Sequence, residues 1–226
     1  MSTAAAVIVP ASQQLQDVSN VKWLTSILIN YLNLALLAIT GLRPEAYPTN
    51  TNATLVAGPV QTLPTGAIRL LSAICNMGVG GATPGAAILT IEKDDFSKRN
   101  PNWTTATAAN TVTAVIRDKE TPKTFYVYPP QPSPAPGQQI LLTVLIPPTT
   151  ITATTDTFPY DDSYLPACID YVVYRALAEE TTMQNSQVKA KLYYQTFLQA
   201  LGIQTIIDNK LAIGEVKTST GEVKTQ

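Results

Sequence analysis

Between Val21 and Thr40 the apolar residues Leu24, Ile27, Leu28, Tyr31, Leu32, Ala35, Ala38 and Ile39 recur in steps of three and four. Stepped at about 100° per residue, Lys22, Ser26, Asn30, Asn33 and Thr40 fall into one polar stripe. The pattern predicts a helix that opens near Asp17 or Ser19 and stops at Gly41, with Pro44 barring continuation. The segment has the length of a bilayer span. Two mid-span asparagines facing lipid are costly, however, so the reading is a helix buried by protein, part of its apolar girth against other subunits. Residues 1–12 are small and apolar without periodicity and are expected to form an extended arm. Pro48–Asn52 reads as a loop by composition.

From about Thr54 to Thr150 the period changes to short β-prone runs punctuated by Gly and Pro. These are Thr54–Val60, Ile68–Cys75, Ala87–Glu92, Thr111–Arg117, Thr124–Tyr128 and Gln139–Ile146, of which Ile68–Cys75 also suits a helical turn. Asp94–Arg99 reads as one helical turn capped by Asp94 or Asp95. Helical spacing then returns. Leu165, Cys168, Ile169, Val172, Val173 and Ala176 form one stripe, with Asp161–Ser163 as caps and an end near Glu180. Ala190, Tyr193, Tyr194, Phe197, Leu198 and Leu201 form another, from Asn185 or Ser186 to Gly202. Two such helices joined by a few residues predict an antiparallel hairpin. Beyond Ile203 the chain repeats Gly214–Thr218 as Gly221–Thr225, alternating β-branched and charged residues. That tail reads either as a disordered terminus or as an arm that adds to a partner by strand pairing.

The fold class that results is α+β: a helical body (long N-terminal helix plus C-terminal hairpin) with an inserted antiparallel β-rich module and extended termini. The expected division is 1–50 for the arm and long helix, 51–158 for the β-rich module, 159–202 for the hairpin and 203–226 for the tail.

Composition narrows the chemistry. Hydrophobic residues are 45% of the chain and charged residues 14%, against a usual share of about 25%. Fifteen Lys and Arg balance sixteen Asp and Glu, for a net charge of −1. A protein that coats nucleic acid needs a basic face, so that class is disfavoured. Histidine is absent, which removes His triads, His–metal sites and imidazole proton shuttles. Cys75 and Cys168 are too few and too distant for a disulfide framework. The first 21 residues lack the basic start of a secretory signal, so the sequons at Asn52 and Asn102 read as chance matches.

Candidate catalytic groups have plainer structural readings. The Gly78–Gly85 loop lacks the Lys-Ser/Thr ending of a phosphate cradle and leads into a β-prone run. Asp94/Asp95 and Asp161/Asp162 sit where helix caps belong, and Glu179/Glu180 sits at a helix end. Cys168 lies on an apolar stripe and Cys75 follows Leu70, Leu71 and Ile74. Pro129, Pro130, Pro132, Pro134 and Pro136 read as a stiff loop between strands. No catalytic, cofactor-binding or metal-ligating residue is assigned, and the class indicated is a structural protein rather than an enzyme.

Several stretches, in order, carry a resemblance. Leu28–Asn33 is followed by Leu42-Arg43-Pro44-Glu45-Ala46, then Gln61-Thr62-Leu63-Pro64, Ile68–Leu71 and Asn76-Met77-Gly78. Asn100-Pro101-Asn102-Trp103 and Lys123–Pro130 come next, then Tyr164 with Asp170–Ala176, Tyr193–Leu198 and Ala200-Leu201-Gly202. Together, over about Asp17 to Gly202, they resemble the head-to-tail adaptor (connector) proteins of tailed bacteriophages. The sequence departs from that pattern at Ala178-Glu179-Glu180, which lacks a basic–acidic pair, and in the repeated tail. The resemblance implies a virion protein assembled in the host cytoplasm: a homo-oligomeric ring, commonly twelvefold, between the portal protein and the tail or nozzle. DNA passes through its lumen, and no membrane or cofactor is involved. Ring packing is expected through Leu28, Leu32, Leu36, Tyr171 and Tyr194, and portal or tail docking through Ile213, Val216 and Val223. The alternatives are another tail component, such as a tail-completion or tail-tube protein, and more remotely a membrane channel subunit.

Overall fold

The computed structural model describes residues 2–180 and 185–203. It divides the chain into two compact units, one from its two ends (up to Ala46 and from Pro148 onward) and one from Tyr47–Pro147. The class is α+β.

The helical unit holds α1 (Ala5–Gln14), α2 (Thr25–Leu42), α4 (Leu165–Glu179) and α5 (Ser186–Ala200). α4 is its centre and packs against α1, α2 and α5. Its buried Ala167, Cys168, Val172, Val173 and Ala176 are the stripe read from spacing. Tyr171 stacks near Phe197 and Tyr174 near Tyr194, at 5.0 and 4.9 Å between ring centres, so the pairing runs antiparallel as a hairpin requires. Gly202, at φ 66°, turns the chain out of α5. A Cβ there would stand 2.7 Å from Arg43 Nη2.

Two expectations at the amino end are corrected. Residues 1–12 are not an extended arm, because α1 buries Val7, Ile8, Ala11 and Ser12 in spite of Pro10. Its start is held by Ala4 and Ala5 N–H groups donating to Asp156 and Thr154 carbonyls, both at 2.9 Å. Small residues over most of its circumference hide the helical period there. The long helix also begins at Thr25 rather than near Asp17 or Ser19. The Asp17 carboxylate does accept backbone N–H bonds, from Val21, Lys22 and Trp23 at 2.7–2.9 Å, but it closes a turn ahead of the helix. Those bonds, the one from Trp23 foremost, hold its pKa below the ordinary carboxylate range.

In the other unit, β1 (Pro48–Thr54), β3 (Arg69–Val79) and β7 (Gln138–Leu145) form a sheet in the order β1-β7-β3. β2 (Gly58–Thr62), β4 (Leu89–Glu92), β5 (Ala114–Arg117) and β6 (Thr124–Gln131) form a second, ordered β2-β6-β5-β4. Ala53, Leu70, Ala73, Ile140, Leu142 and Val144 of the first meet Val115, Phe125 and Val127 of the second in one buried core. The outer face of the second sheet is covered by α3 (Lys93–Arg99) and the turn at Trp103. There Phe96 and Trp103 pack with Ala114, Ile116, Tyr126 and Tyr128.

Here too the chain departs from its pattern. Pro48–Asn52 is strand, not loop: Thr and Asn tolerate an edge position whose outward side needs no apolar residue. The run Thr54–Val60 splits between β1 and β2. Ile68–Cys75 resolves as strand within β3, and Pro129 and Pro130 end β6 instead of joining a loop. β4 and β5 pair in parallel, the exception in an otherwise antiparallel module. Asp94 and Asp95 lie in the first turn of α3, which has no side-chain cap bond.

Leu32 has no exposed surface. Leu32→Asp buries an unpaired carboxylate in a packed site, so loss of cooperative thermal unfolding is the expected outcome. Leu32→Ala is expected to cost about 2–5 kcal/mol in urea titration.

Candidate assembly surface

α2 is long and apolar enough to cross a membrane by length and composition, 18 residues with mean hydropathy 1.6. Its burial shows where that apolar surface goes. Leu28, Ile29, Tyr31, Leu32, Ala35, Leu36 and Ile39 are buried within the helical unit. Ring packing through Leu28, Leu32 and Leu36 is therefore corrected: these side chains are already enclosed by their own chain and have no surface to offer a second copy. The exposed line of the same helix runs Ser26, Asn30, Leu34, Leu37 and Gly41, with Leu42 beside it. Leu37 is 52% exposed. Sequence cannot separate Leu34 and Leu37 from Leu32 and Leu36, because the residue type is the same and only the covered side differs.

The polar stripe points inward at Thr40 and Asn33, and the exposed Lys22 ahead of the helix reaches a buried carboxylate. Thr40 Oγ1 lies 2.6 Å from Tyr160 Oη, which also donates to the Leu36 carbonyl at 2.8 Å. Asn33 Nδ2 donates to the Ile151 carbonyl and its Oδ1 accepts from the Ile151 N–H, both at 2.9 Å. Lys22 pairs with the buried Glu180. These residues bind the 151–160 segment and the end of α4 to α2.

Tyr171 is half-buried and Tyr194 exposed, and both belong to one aromatic cluster with Tyr174 and Phe197. Burial pushes the Tyr171 phenol up. Val188 and Leu192, 70% and 62% exposed, stand one turn apart on the outer side of α5. Ile213, Val216 and Val223 lie outside the described residues.

The candidate catalytic groups are occupied otherwise. Glu179 accepts from Tyr31 Oη at 2.6 Å and pairs with Arg175. Asp161 accepts the Ser163 N–H at 2.9 Å. Burial pushes the Cys168 thiol far up, away from thiolate chemistry. Among the described residues no three His, Cys, Asp or Glu side chains converge as a metal set. In the β unit, a cleft of about 300 Å³ is lined by Arg69, Glu92, Arg117, Asp118 and Lys119. Two of its carboxylates are engaged, Glu92 by Arg117 at 2.6 Å and Asp118 by Lys93 at 2.7 Å.

The landmarks that carried the resemblance are largely the joints of this architecture. Arg43 Nε donates to the Leu201 carbonyl at 2.6 Å and Nη1 to Glu45 at 2.9 Å, so Leu42–Ala46 and Ala200–Gly202 form one junction. Asn76 Nδ2 donates to Val112 O at 2.8 Å and Asn76 Oδ1 accepts the Val112 N–H at 2.9 Å. Gln61 brackets the β1–β2 turn, accepting from Val56 N–H and donating to the Val56 and Gly58 carbonyls. Trp103 stacks edge-on to Tyr126 at 5.3 Å.

The SU10 adaptor protein family matches residues 2–215. The chain belongs to that family. It is thus a bacteriophage adaptor, a structural virion component that interacts with other phage structural proteins. The match takes in α1 and stops inside the first copy of the tail repeat. No curated protein matches the adaptor chain.

Asn33→Ala leaves both Ile151 backbone groups without their side-chain partner, at an expected cost of about 1–3 kcal/mol in urea unfolding. Asn30→Ala, on the exposed line, should stay within about 0.5 kcal/mol. A pH effect follows from Tyr31. Burial, the hydrogen bond to Glu179 and that carboxylate's charge push its phenol from 10.0 up to about 12, against the pull of Arg175. The fold favours the neutral phenol, so its contribution is full below pH 10 and is lost as pH rises towards about 12. Tyr31→Phe should lose less stability across that window than the parent chain, read by urea unfolding at pH 9 and pH 11.5.

Proposed function

We propose that this adaptor forms a homo-oligomeric ring that joins the portal to the tail or nozzle and lets DNA pass through its lumen. Twelve copies is the number the resemblance to connector proteins implies. The observation that carries the reading is the apolar line left uncovered on α2, Leu34, Leu37 and Leu42, in a family of structural adaptors. Large exposed apolar residues in a row mark surfaces that another protein covers. Val188 and Leu192 on the outer side of α5 supply a second such surface, while Tyr194 is held against Tyr174 on another side of that helix. A cyclic ring joins two different faces of each copy, head to tail, and two separate apolar patches meet that requirement.

A lumen that DNA crosses has to avoid holding it. Each phosphate neutralised by a fixed cation adds salt-sensitive affinity. A chain of net charge −1 has no excess of cations for that, and Lys22, Arg43, Lys93, Arg117 and Arg175 are each paired with a carboxylate.

The test is the full chain carrying Leu34→Asp and Leu37→Asp, measured by light scattering with and without purified portal. Ring mass is expected to disappear while the melting temperature stays near that of the parent, since both sites are exposed. Full-size rings from that variant would overturn the assignment.

A further inference from the structure

The β unit manages most of its sheet edges. β2 carries Pro59 and a register shift between Gly58 and Val60 against β6. The free side of β3 is covered by residues 85–88, with Asn76 N–H donating to Ala86 O at 2.9 Å, Gly85 N–H to Asn76 O at 2.7 Å and Ile88 N–H to Ile74 O at 3.1 Å. β4 is only four residues long, and its Thr90 Oγ1 accepts the Ala73 N–H at 2.8 Å. Short length, proline, irregularity and cover are the usual devices that stop an edge from pairing further.

β1 has no such cover. It is seven residues long, pairs without a register shift from Pro48↔Leu145 to Thr54↔Gln139, and contains no charged side chain. Leu55 N–H donates to Gln138 O at 2.8 Å in continuation of that register. Antiparallel alternation then aims the backbone of Thr49, Thr51 and Ala53 at β7 and that of Asn50, Asn52 and Thr54 at the free side. Among the described residues no backbone group meets those three.

We propose that the free edge of β1 accepts the repeated Gly-Glu-Val-Lys-Thr segment of a neighbouring copy as an added strand. This rests on the ring reading above and gives the tail an acceptor within the same ring. Three features of the chain select this occupant. The segment alternates with the period of a strand: Val216 and Thr218 fall on one side, Glu215 and Lys217 on the other. Beside β1, the first pair continues the row of Thr51 and Ala53 and the charged pair the exposed row of Asn50 and Asn52. Glu and Lys cancel within each repeat, so the strand brings no net charge to an uncharged edge. The eleven residue steps from Ile203 to Gly214 extend over at most roughly 36–40 Å, enough to leave one subunit for the next. Val216 and Val223 are an odd seven residues apart, so they cannot face the same side of one straight strand. Each repeat is therefore a strand-length ligand of its own.

The experiment compares the full parent chain with the full chain carrying Val216→Pro and Val223→Pro, by light scattering and by residue-resolved amide exchange. In the assembled parent, the Asn50, Asn52 and Thr54 amides should exchange at least tenfold more slowly than in the proline variant. Ala53, bonded to β7, should not change. Equal exchange in parent rings overturns the strand assignment and leaves the ring reading standing, whereas a parent chain that stays monomeric overturns both. A second arm mixes full chains bearing Thr54→Cys with full chains bearing Lys217→Cys or Glu215→Cys under oxidation. Disulfide-linked pairs of the two chains are expected. Failure of both to cross-link, or closure only within one chain when both cysteines are placed on it, overturns pairing between copies.

Discussion

Side chains that satisfy the backbone of distant segments hold this fold together. A buried N–H or C=O without a partner is costly, and both units contain segments that no regular ladder serves. Asn33 supplies both bonds for Ile151, Asn76 both for Val112, and Gln61 three around the β1–β2 turn. Arg43 does the same for the Leu201 carbonyl just past α5. None of these side chains could be replaced by an isostere of the opposite hydrogen-bonding sense without leaving a partner unmet. That is a physical reason for such residues to stand among the landmarks by which the family resemblance was recognised.

The same economy frees the apolar surface. With Asn33 and Thr40 engaged on the inner side of α2, that helix spends its inward leucines on α4 and keeps Leu34, Leu37 and Leu42 outside. A stretch that passes for a membrane span by composition thus becomes a two-sided protein helix, one side private and one side exposed. A net charge of −1 keeps the repulsion between copies in the proposed ring small.

The body of the fold was legible wherever period and burial agree. Cys168, Val172, Val173 and Ala176 face one way on α4 at helical spacing, and the hairpin with α5 follows from it. β6 and β7 were legible within a few residues because alternate positions are buried, and β5 because its apolar run is buried on both faces. α1 was missed because Ala and Val surround Pro10 with no polar face to mark the turn, and β1 because its side chains are Thr and Asn on an edge. The start of α2 was misplaced because Asp17 performs the chemistry of a cap on a turn that precedes it. The assembly surface was only half legible: spacing identified α2 as over-apolar, but the choice between Leu32 and Leu37 depends on α4, which lies more than a hundred residues away in sequence.

Charge is not spread evenly over the β unit, and this bears on why an open edge is tolerated there. Its charged residues are confined to Arg69 and to 92–123, leaving 47–68, 70–91 and 124–147 without any. The sheet β1-β7-β3 is therefore neutral apart from Arg69, while the outer face of the four-stranded sheet lies under α3 and its charged surface. A monomer that stays alone usually guards an exposed edge with Lys or Pro inside the strand, and β1 has neither beyond the Pro48 that opens it. Such an edge is a hazard for a solitary protein. For a subunit of the proposed ring it is an unfilled bonding position, and the tail's own alternation of Glu, Val, Lys and Thr has the period to fill it.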